Sequence, residues 1–232
     1  MMSDLPLMEL KDIHKSFGNV DALKGVSISI KAGECHCLLG DNGAGKSTFI
    51  KIMSGVHQPT RGQISINGQD TEINNPREAI DVGIATVYQD LALIPLMSVS
   101  RNFWLGRELT KKVGPITVMD FEKCNSILMT EMDKMGIQLR DPTQSIGTLS
   151  GGERQTVAIA RAVFFGAKIL ILDEPTSALD TAIRDEFLKL LRDECAAANT
   201  ALLFVSHDDH LASHFERVDS LVELNKARLQ VA

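Results

Sequence analysis

One segment of the chain, residues 40–48, constrains the possible folds more than any other. Its sequence is Gly-Asp-Asn-Gly-Ala-Gly-Lys-Ser-Thr, which matches the pattern G-x-x-x-x-G-K-[ST]. It follows a short apolar run, Cys35–Leu39, that is typical of a buried parallel strand. Glycine at Gly43 and Gly45 lets the backbone curl with its N–H groups pointing inward. The pattern therefore predicts a strand, a phosphate-binding loop and a helix that begins near Lys46.

The residue types in this loop predict binding of ATP with Mg²⁺. Lys46 is expected to reach the β and γ phosphates, and the Ser47 hydroxyl is expected to ligate Mg²⁺, a hard cation that prefers oxygen. The amino end of the following helix adds a positive field. The predicted nucleotide contacts in the loop are Gly40, Asp41, Asn42, Gly43, Ala44, Gly45, Lys46, Ser47 and Thr48.

Two adjacent carboxylates, Asp173 and Glu174, follow the apolar run of residues 169–172. Open parallel sheets place their ligand sites at the carboxyl ends of such strands. Asp173 is therefore expected to hold the Mg²⁺ shell, and Glu174 is expected to polarise the attacking water. Because neighbours on an extended chain point to opposite sides, the two acids are expected to serve separate roles. The alternative, in which both only cap the next segment, is disfavoured by the phosphate loop upstream.

Apolar patterning predicts an α/β fold. The predicted strands are residues 8–13, 26–30, 35–39, 62–66, 84–88, 169–172 and 201–205, and the predicted helices begin near residues 46, 76, 152 and 183. Asn67 and Gly68 supply a hairpin turn after the fourth strand. These elements predict a mainly parallel sheet core with an antiparallel part near the amino end.

A different pattern occupies residues 90–165, where apolar side chains recur at helical spacing. Phe121, Leu128, Met132 and Met135 are expected to share one face of a helix. We therefore expect a helical subdomain of about residues 90–165 inserted into a single domain of residues 1–232.

Composition excludes several functional classes. The net charge of −6 does not favour nucleic acid, so none is expected as a partner. No stretch approaches the roughly twenty apolar residues that span a bilayer, and the amino-terminal residues lack the features of a secretion signal. The four cysteines show no zinc spacing, and Cys35 and Cys37 are expected to be small buried hydrophobic residues in a reducing cytosol.

A second fixed phrase, Leu-Ser-Gly-Gly-Glu at residues 149–153, completes a recognisable set of motifs. With the phosphate loop before it and the paired acids after it, the chain resembles the nucleotide-binding subunit of an ATP-binding-cassette (ABC) transporter over nearly its whole length. The resemblance implies the P-loop NTPase fold of those cassettes. It also implies ATP hydrolysis in which Glu174, His207 and Lys46 are the catalytic residues.

The same resemblance suggests roles for further residues. Ser150, Gly151, Gly152 and Glu153 open a helix whose positive end suits the γ phosphate of ATP bound to an opposite subunit. Gln89 corresponds to the glutamine loop, which senses the γ phosphate through Mg²⁺ or water. The metal ligands are then Ser47, Gln89 and Asp173. Residues 177–180, ending in Asp180, resemble the D-loop, His207 resembles the switch histidine, and Phe17 lies where the family stacks an aromatic ring on adenine.

The resemblance also implies partners and a location. One phosphate loop and one signature per chain imply a dimer, with itself or with a similar cassette, and a homodimer is the first expectation. Transmembrane permease subunits and an extracytoplasmic substrate-binding protein would be separate chains. The protein is then expected in the cytoplasm, peripheral on the inner face of the cell membrane.

The transported substrate is predicted from shorter phrases. Residues 83–90 and 103–108 are similar to those of monosaccharide-importer ATPases, whereas the tail, residues 187–228, is more similar to cassettes of lipoprotein-releasing or macrolide-type exporters. Sugar import is the first hypothesis and export is the second. A soluble ABC ATPase of DNA repair or translation is less favoured, because the interval from Gln89 to Leu149 suits only a compact helical lobe and a second cassette is not expected. Intact Lys46, Asp173, Glu174 and His207 argue against a nonhydrolytic scaffold.

Overall fold

The computed structural model describes residues 5–176 and 181–226, with the side chains of residues 181–183 left out. The predicted D-loop, including Asp180, therefore lies outside the described residues. The chain divides into two compact units. The first comprises residues 1–89, 166–175 and 195–232, and the second comprises residues 90–165 and 176–194. The sequence-based boundaries, one domain with a helical subdomain of about residues 90–165, stay a prediction.

The first unit contains a four-stranded antiparallel sheet. Its strands, in spatial order, are β2 (Val20–Ile30), β1 (Met8–Phe17), β4 (Arg61–Ile66) and β5 (Gln69–Asp70). Met8 pairs with Ile30 on one side and with Ile66 on the other. Asn67 and Gly68 join β4 to β5 with φ angles of 52° and 76°, the left-handed values that a tight hairpin turn requires. The predicted antiparallel part and its turn are thus confirmed.

The second sheet of this unit is parallel and has five strands. Their spatial order is β11 (Arg217–Ser220), β3 (Cys35–Leu39), β10 (Ala201–Ser206), β9 (Ile169–Asp173) and β6 (Ile84–Val87). Every residue of β10 is buried, which explains its continuous apolar sequence. Because all five strands run in the same direction, the phosphate loop after β3, Asp173 at the end of β9 and Ser206 at the end of β10 lie at the same edge of the sheet.

The core of the first unit joins both sheets through α1 (Lys46–Met53). Phe49, Ile50 and Ile52 of this helix are fully buried in one cluster with residues of β1, β9 and β10. Burying each such side chain contributes roughly 1.5–3 kcal/mol. The helix that follows the phosphate loop is therefore held firmly by its apolar face. Two shorter helices, α2 (Pro76–Asp81) and α7 (Leu221–Leu224), complete the unit.

The second unit is mainly helical. Its helices are α3 (Val99–Trp104), α4 (Phe121–Lys134), α5 (Gly151–Phe164) and most of α6 (Thr181–Ala197). Phe103, Trp104, Phe164 and Phe165 form an aromatic cluster in which the rings of Trp104 and Phe164 meet edge to face at 5.4 Å. The Trp104 indole N–H also donates to the Cys124 carbonyl at 3.0 Å. Aromatic packing and this hydrogen bond link α3, α4 and α5.

One detail of the predicted helical lobe is wrong, and one residue of its predicted face is exposed. Residues 110–119 form a hairpin, β7 (Thr110–Val113) and β8 (Ile116–Met119), because threonine, valine and isoleucine favour strands and Gly114 supplies the turn. Phe121 is 51% exposed, whereas the other members of its predicted face, Leu128, Met132 and Met135, are buried. Phe121 is the first residue of α4, and burial begins one turn later at Cys124.

The cysteine prediction is partly confirmed. Cys37 is fully buried, and burial raises the pKa of its thiol to about 12, so it is an inert hydrophobic residue. Cys35 is only half-buried.

A buried histidine, His36, lies between the two cysteines on β3 with its ring fully shielded from solvent. Its Nε2 atom lies 2.9 Å from Asp219 Oδ2, within ion-pair distance but outside hydrogen-bond geometry among the described residues. Arg217 binds the same carboxylate and also pairs with Glu34 at 3.0 Å. Burial, and then the Arg217 charge, lowers the pKa of His36, although the Asp219 and Glu34 charges oppose the shift. His36 is therefore neutral in the folded protein near pH 7.

We expect His36 to make folding stability fall in mild acid. An unfolded histidine takes up a proton near pH 6.5 while folded His36 does not, so stability is lost as the pH falls through that value. The free energy of unfolding should fall by up to about 1.4 kcal/mol for each pH unit from this proton alone. Urea titrations at pH 7.5, 6.5 and 5.5 should show a shallower loss for His36→Gln. His210→Gln, at an exposed histidine, is the control and should lose stability with falling pH as wild type does. If the free energy of unfolding of His36→Gln fell with pH as steeply as that of wild type, the prediction would be refuted.

Candidate functional site

The phosphate loop leaves β3 and turns back into α1 through two left-handed glycines. Gly43 and Gly45 have φ angles of 80° and 99°. A Cβ atom on Gly45 would lie 2.7 Å from Leu23 Cδ2 and 2.8 Å from the Ala22 carbonyl oxygen, so no other residue fits without displacing β2. The Gly40 N–H donates to the Ser206 carbonyl at 3.1 Å, which ties the start of the loop to the end of β10.

Helix α1 begins directly after Gly45, and no side chain caps its amino end. The N–H groups of its first turn are therefore available to an anion, and the helix field favours negative charge there. Ser47, in this first turn, is exposed, and Lys46 is buried, with 7% of its surface exposed. The sequence prediction of a helix starting near Lys46 is thus confirmed.

The Lys46 ammonium connects the loop to the paired acids. Its Nζ atom donates to the carbonyl oxygens of Gly40 and Asp41, the latter at 3.3 Å. It also lies 3.4 Å from Glu174 Oε1. A buried cation is thus held where the loop and the carboxyl end of β9 meet.

Glu174 adopts a conformation that the sequence did not predict. Its φ angle is 52°, in the left-handed region, and its N–H donates to the Val205 carbonyl at 2.9 Å. Strand β9 has ended at Asp173, so the expected alternation of an extended chain does not continue. The alternation on which the separate roles of the two acids were predicted therefore does not extend to Glu174, and both residues line the same cavity.

The environment of Asp173 suits a bound cation. Burial, and then the neighbouring charge of Glu174, raises the pKa of Asp173, while Lys46 opposes the shift. A carboxylate that is removed from water in this way gains from a positive ion beside it. Ser47, Gln89 and Asp173 all line the cavity and supply oxygen atoms, which Mg²⁺ prefers. The residues present therefore fit the predicted ion.

His207 contacts Glu174 on the side away from Lys46. The His207 Nδ1 atom lies 2.8 Å from Glu174 Oε2, and the imidazole is 54% exposed. The contact is a hydrogen bond donated by His207 when Nδ1 carries the proton. Glu174 is thus held between an ammonium and an imidazole. These two contacts fix the orientation of the carboxylate, and a general base needs a fixed orientation toward the water molecule whose proton it accepts.

The phosphate loop and the two acids line a cavity of about 470 Å³ in the first unit, and His207 contacts the cavity residue Glu174 without being part of the lining itself. This volume is within the usual range for a small-molecule site. The structure brings ten predicted residues together on the lining: Asp41, Asn42, Gly43, Gly45, Lys46, Ser47, Thr48, Gln89, Asp173 and Glu174. The other two predicted loop residues, Gly40 and Ala44, are buried and are not part of the lining.

Gln89 follows β6 and is exposed. The preceding residue, Tyr88, places a hydroxyl 2.6 Å from Ser54 Oγ, at the carboxyl end of α1. The start of the predicted glutamine loop is thereby attached to the helix that follows the phosphate loop.

Phe17 is 46% exposed and packs edge to face against His57, with ring centroids 5.3 Å apart. Lys15 Nζ lies 5.1 Å from the centre of the Phe17 ring. Stacking of Phe17 on adenine stays a prediction.

The predicted signature residues lie in the second unit at the amino end of α5. The helix begins at Gly151, one residue before the predicted start. The Ser150 hydroxyl accepts from the Glu153 N–H at 3.3 Å, and the Glu153 carboxylate accepts from the Ser150 N–H at 2.7 Å. This reciprocal pair is a capping box, so Glu153 stabilises the helix end in this structure.

Sequence reasoning missed four residues that line the cavity. Val20, Asp21 and Ala22, which we call the β2 wall, lie at the start of β2, and Asn225 follows α7. No local sequence pattern marks these residues, because strand pairing and tertiary packing bring them to the cavity from positions far from the phosphate loop in sequence.

The described part of the chain contains no helix that is both long and apolar enough to span a membrane.

The fold and the site together define an ATP-binding cassette. The family described as ABC transporter matches residues 23–177, and the chain belongs to it. The protein is accordingly an ATPase, and ATP is its nucleotide. A dimeric bacterial ABC transporter cassette, MJ0796, is 29% identical, with a TM-score of 0.76 over 92% of this chain and 93% of that one. A second cassette, MJ1267 in its ADP conformation, is 22% identical with a TM-score of 0.80, and covers 93% of this chain and 87% of that one. It supports the fold alone.

Named relatives are more similar in sequence. The xylose/arabinose import ATP-binding protein XylG of Sulfolobus acidocaldarius is 42% identical over 228 residues, which is 98% of this chain and 87% of the relative. The ribose import ATP-binding protein RbsA of Bacillus subtilis is 42% identical over 172 residues, or 74% of this chain. This chain spans only 34% of the length of that ribose relative.

Proposed function

We propose that this cassette powers the import of a monosaccharide through a membrane permease. The observation that carries the proposal is the similarity to the xylose/arabinose import protein across 98% of the chain. That match includes the tail, residues 187–228, whose sequence resembles exporter cassettes. A single sugar-import relative is therefore similar both to the tail and to the part of the chain before it. Export of a lipoprotein or macrolide remains the second hypothesis, and it rests on the tail alone.

The proposed chemistry follows from the contacts around Glu174. Glu174 accepts a proton from the attacking water, and His207 keeps the carboxylate oriented through the 2.8 Å contact. Lys46 and the free N–H groups of α1 hold the β and γ phosphates. Ser47, Asp173 and Gln89 would hold Mg²⁺, which supplies charge neutralisation at the phosphates. In this proposal Phe17 stacks on adenine, and Asp180 contacts the nucleotide as part of the D-loop.

The proposed assembly is a dimer of cassettes. The chain has one phosphate loop and one signature, and the solved relative MJ0796 is dimeric. We infer that residues 150–153 of one copy complete the site of the other. The named relatives act in import, so permease subunits and an extracytoplasmic sugar-binding protein are the further proposed partners. The dimer would then lie on the inner face of the membrane.

Recovery of partners from native membranes tests this proposal. Tagged Glu174→Gln protein, which should hold ATP without turnover, is incubated with ATP in mild detergent, and the retained membrane proteins are identified. A compact multispanning sugar permease would support import. A permease with a large extracytoplasmic domain would favour export instead, and a purely soluble partner would overturn the transport function. Lys46→Ala is the matched control, because it should not form the ATP-bound dimer.

A further inference from the structure

One buried side chain, Asn225, connects two separate parts of the nucleotide cavity. It lies at the carboxyl end of α7, where its N–H donates to the Leu221 carbonyl at 2.9 Å, and only 1% of its surface is exposed. Its side-chain oxygen accepts from the Lys24 N–H at 2.9 Å. Its amide nitrogen donates to the carbonyl oxygens of Ala22 at 2.9 Å and Ala44 at 3.0 Å.

The two connected segments both belong to the cavity side of the first unit and pack against each other at Gly45. Ala22 belongs to the β2 wall, and Ala44 belongs to the phosphate loop, 181 positions before Asn225 in sequence. Gly45 is pressed between them, since a Cβ atom there would lie 2.8 Å from the Ala22 oxygen and 3.3 Å from Asn225 Nδ2. The Asn225 amide therefore links the loop to the β2 wall at the point where Gly45 packs against Ala22.

The hydrogen-bond pattern selects asparagine over other residues of similar size. The Lys24 N–H requires an acceptor at one end of the side chain, and the carbonyl oxygens of Ala22 and Ala44 require a donor at the other end. A side-chain amide supplies both. Aspartate would place an acceptor against two carbonyl oxygens. Alanine would leave three backbone groups in a buried place without these hydrogen bonds, which is unfavourable.

We propose that Asn225 is a positioning residue for ATP binding. It fixes the Ala44 carbonyl and thereby the path of the phosphate loop at Gly45, where the first N–H groups of α1 face the cavity. It acts on the nucleotide only through this backbone and takes no part in proton transfer at Glu174. The role rests on the proposed nucleotide site.

The proposal predicts a specific kinetic change. Asn225→Ala and Asn225→Asp should raise KM for ATP, and the dissociation constant of a fluorescent ATP analogue, by about tenfold or more, the equivalent of losing a buried hydrogen bond or two. The value of kcat at saturating ATP should stay within about threefold of wild type, because Glu174 and His207 are not displaced. Asn225→Asp retains the size of the side chain and the Lys24 contact and changes only the donor end of the amide, so the two variants remove the same hydrogen bonds in different ways, and a thermal melt identifies which of them is folded and suitable for the binding measurement.

Asn102 provides the matched control. It is equally buried in the second unit, and its amide similarly binds backbone groups, accepting from the Ile94 N–H and donating to the carbonyl oxygens of Ile94, Met97 and Ser98. Asn102→Ala should lower thermal stability without changing KM for ATP. A KM increase of the same size in Asn102→Ala would show that general destabilisation is responsible, and would overturn the proposal.

A parallel binding measurement on Lys46→Ala separates failure of this proposal from failure of the site itself. If Lys46→Ala binds ATP as wild type does, the proposed nucleotide site is wrong. If Lys46→Ala loses binding while both Asn225 variants bind like wild type, only the positioning role of Asn225 is overturned.

Discussion

Replacement of Glu174 by glutamine should lower ATP turnover by about 10²-fold or more while ATP binding is retained, because general-base catalysis contributes roughly 10²–10⁴. The substitution keeps the size of the side chain and its capacity to accept from His207 at Nδ1. It removes the negative charge that Lys46 faces at 3.4 Å, so ATP affinity should be unchanged or higher. Steady-state phosphate release and equilibrium ATP binding are the two measurements.

A carboxylate outside the site is the control for this experiment. Glu72 is exposed on the first unit, and Glu72→Gln should keep wild-type turnover. Hydrolysis by Glu174→Gln near the wild-type rate would contradict the proposed role of Glu174. A loss of ATP binding would instead show that the glutamate has a structural role in the loop.

Replacement of Lys46 by alanine should weaken ATP binding itself. The ammonium is the buried cation of the loop, and losing a charge-assisted hydrogen bond to a phosphate costs roughly 1.5–3 kcal/mol, or about 10- to 100-fold in affinity. The variant also leaves Glu174 without its cationic neighbour, which adds repulsion toward the nucleotide. Isothermal titration with ATP and Mg²⁺ measures the loss directly.

Exposed Lys31 is the control for the removal of a lysine charge. Lys31→Ala removes the same amount of positive charge from the first unit, and it should bind ATP as wild type does. Equal affinity of Lys46→Ala and wild type would refute the phosphate-loop assignment.

Short-range patterns predicted the loop, the paired acids and most of the elements around them. These features depend on neighbours in sequence, since a glycine-rich turn between a buried strand and an amphipathic helix is specified within about fifteen residues. The hairpin of β7 and β8 was missed because its sequence lacks the local pattern by which strands are recognised. Its threonine, valine and isoleucine residues are exposed on both strands, so they lack the alternation that marks a half-buried strand.

The relation of Asp173 to Glu174 could not be predicted in the same way. An extended chain would alternate the two side chains, but Glu174 adopts a left-handed turn, and both residues line one cavity. That conformation is unfavourable for a residue other than glycine and costs roughly 1 kcal/mol. It is supported here by the hydrogen bond from the Glu174 N–H to Val205, on a neighbouring strand.

The sequence by itself determined the family, the parallel core and the set of residues around the phosphates, because each of these is encoded in contiguous motifs with a definite period or spacing. Only the tertiary structure decided how Lys46 and His207 hold Glu174 between them, and that Asn225 joins the β2 wall to the loop. These contacts join positions far apart in the chain. Their geometry depends on how the strands pair and how the side chains pack, and no local pattern encodes that.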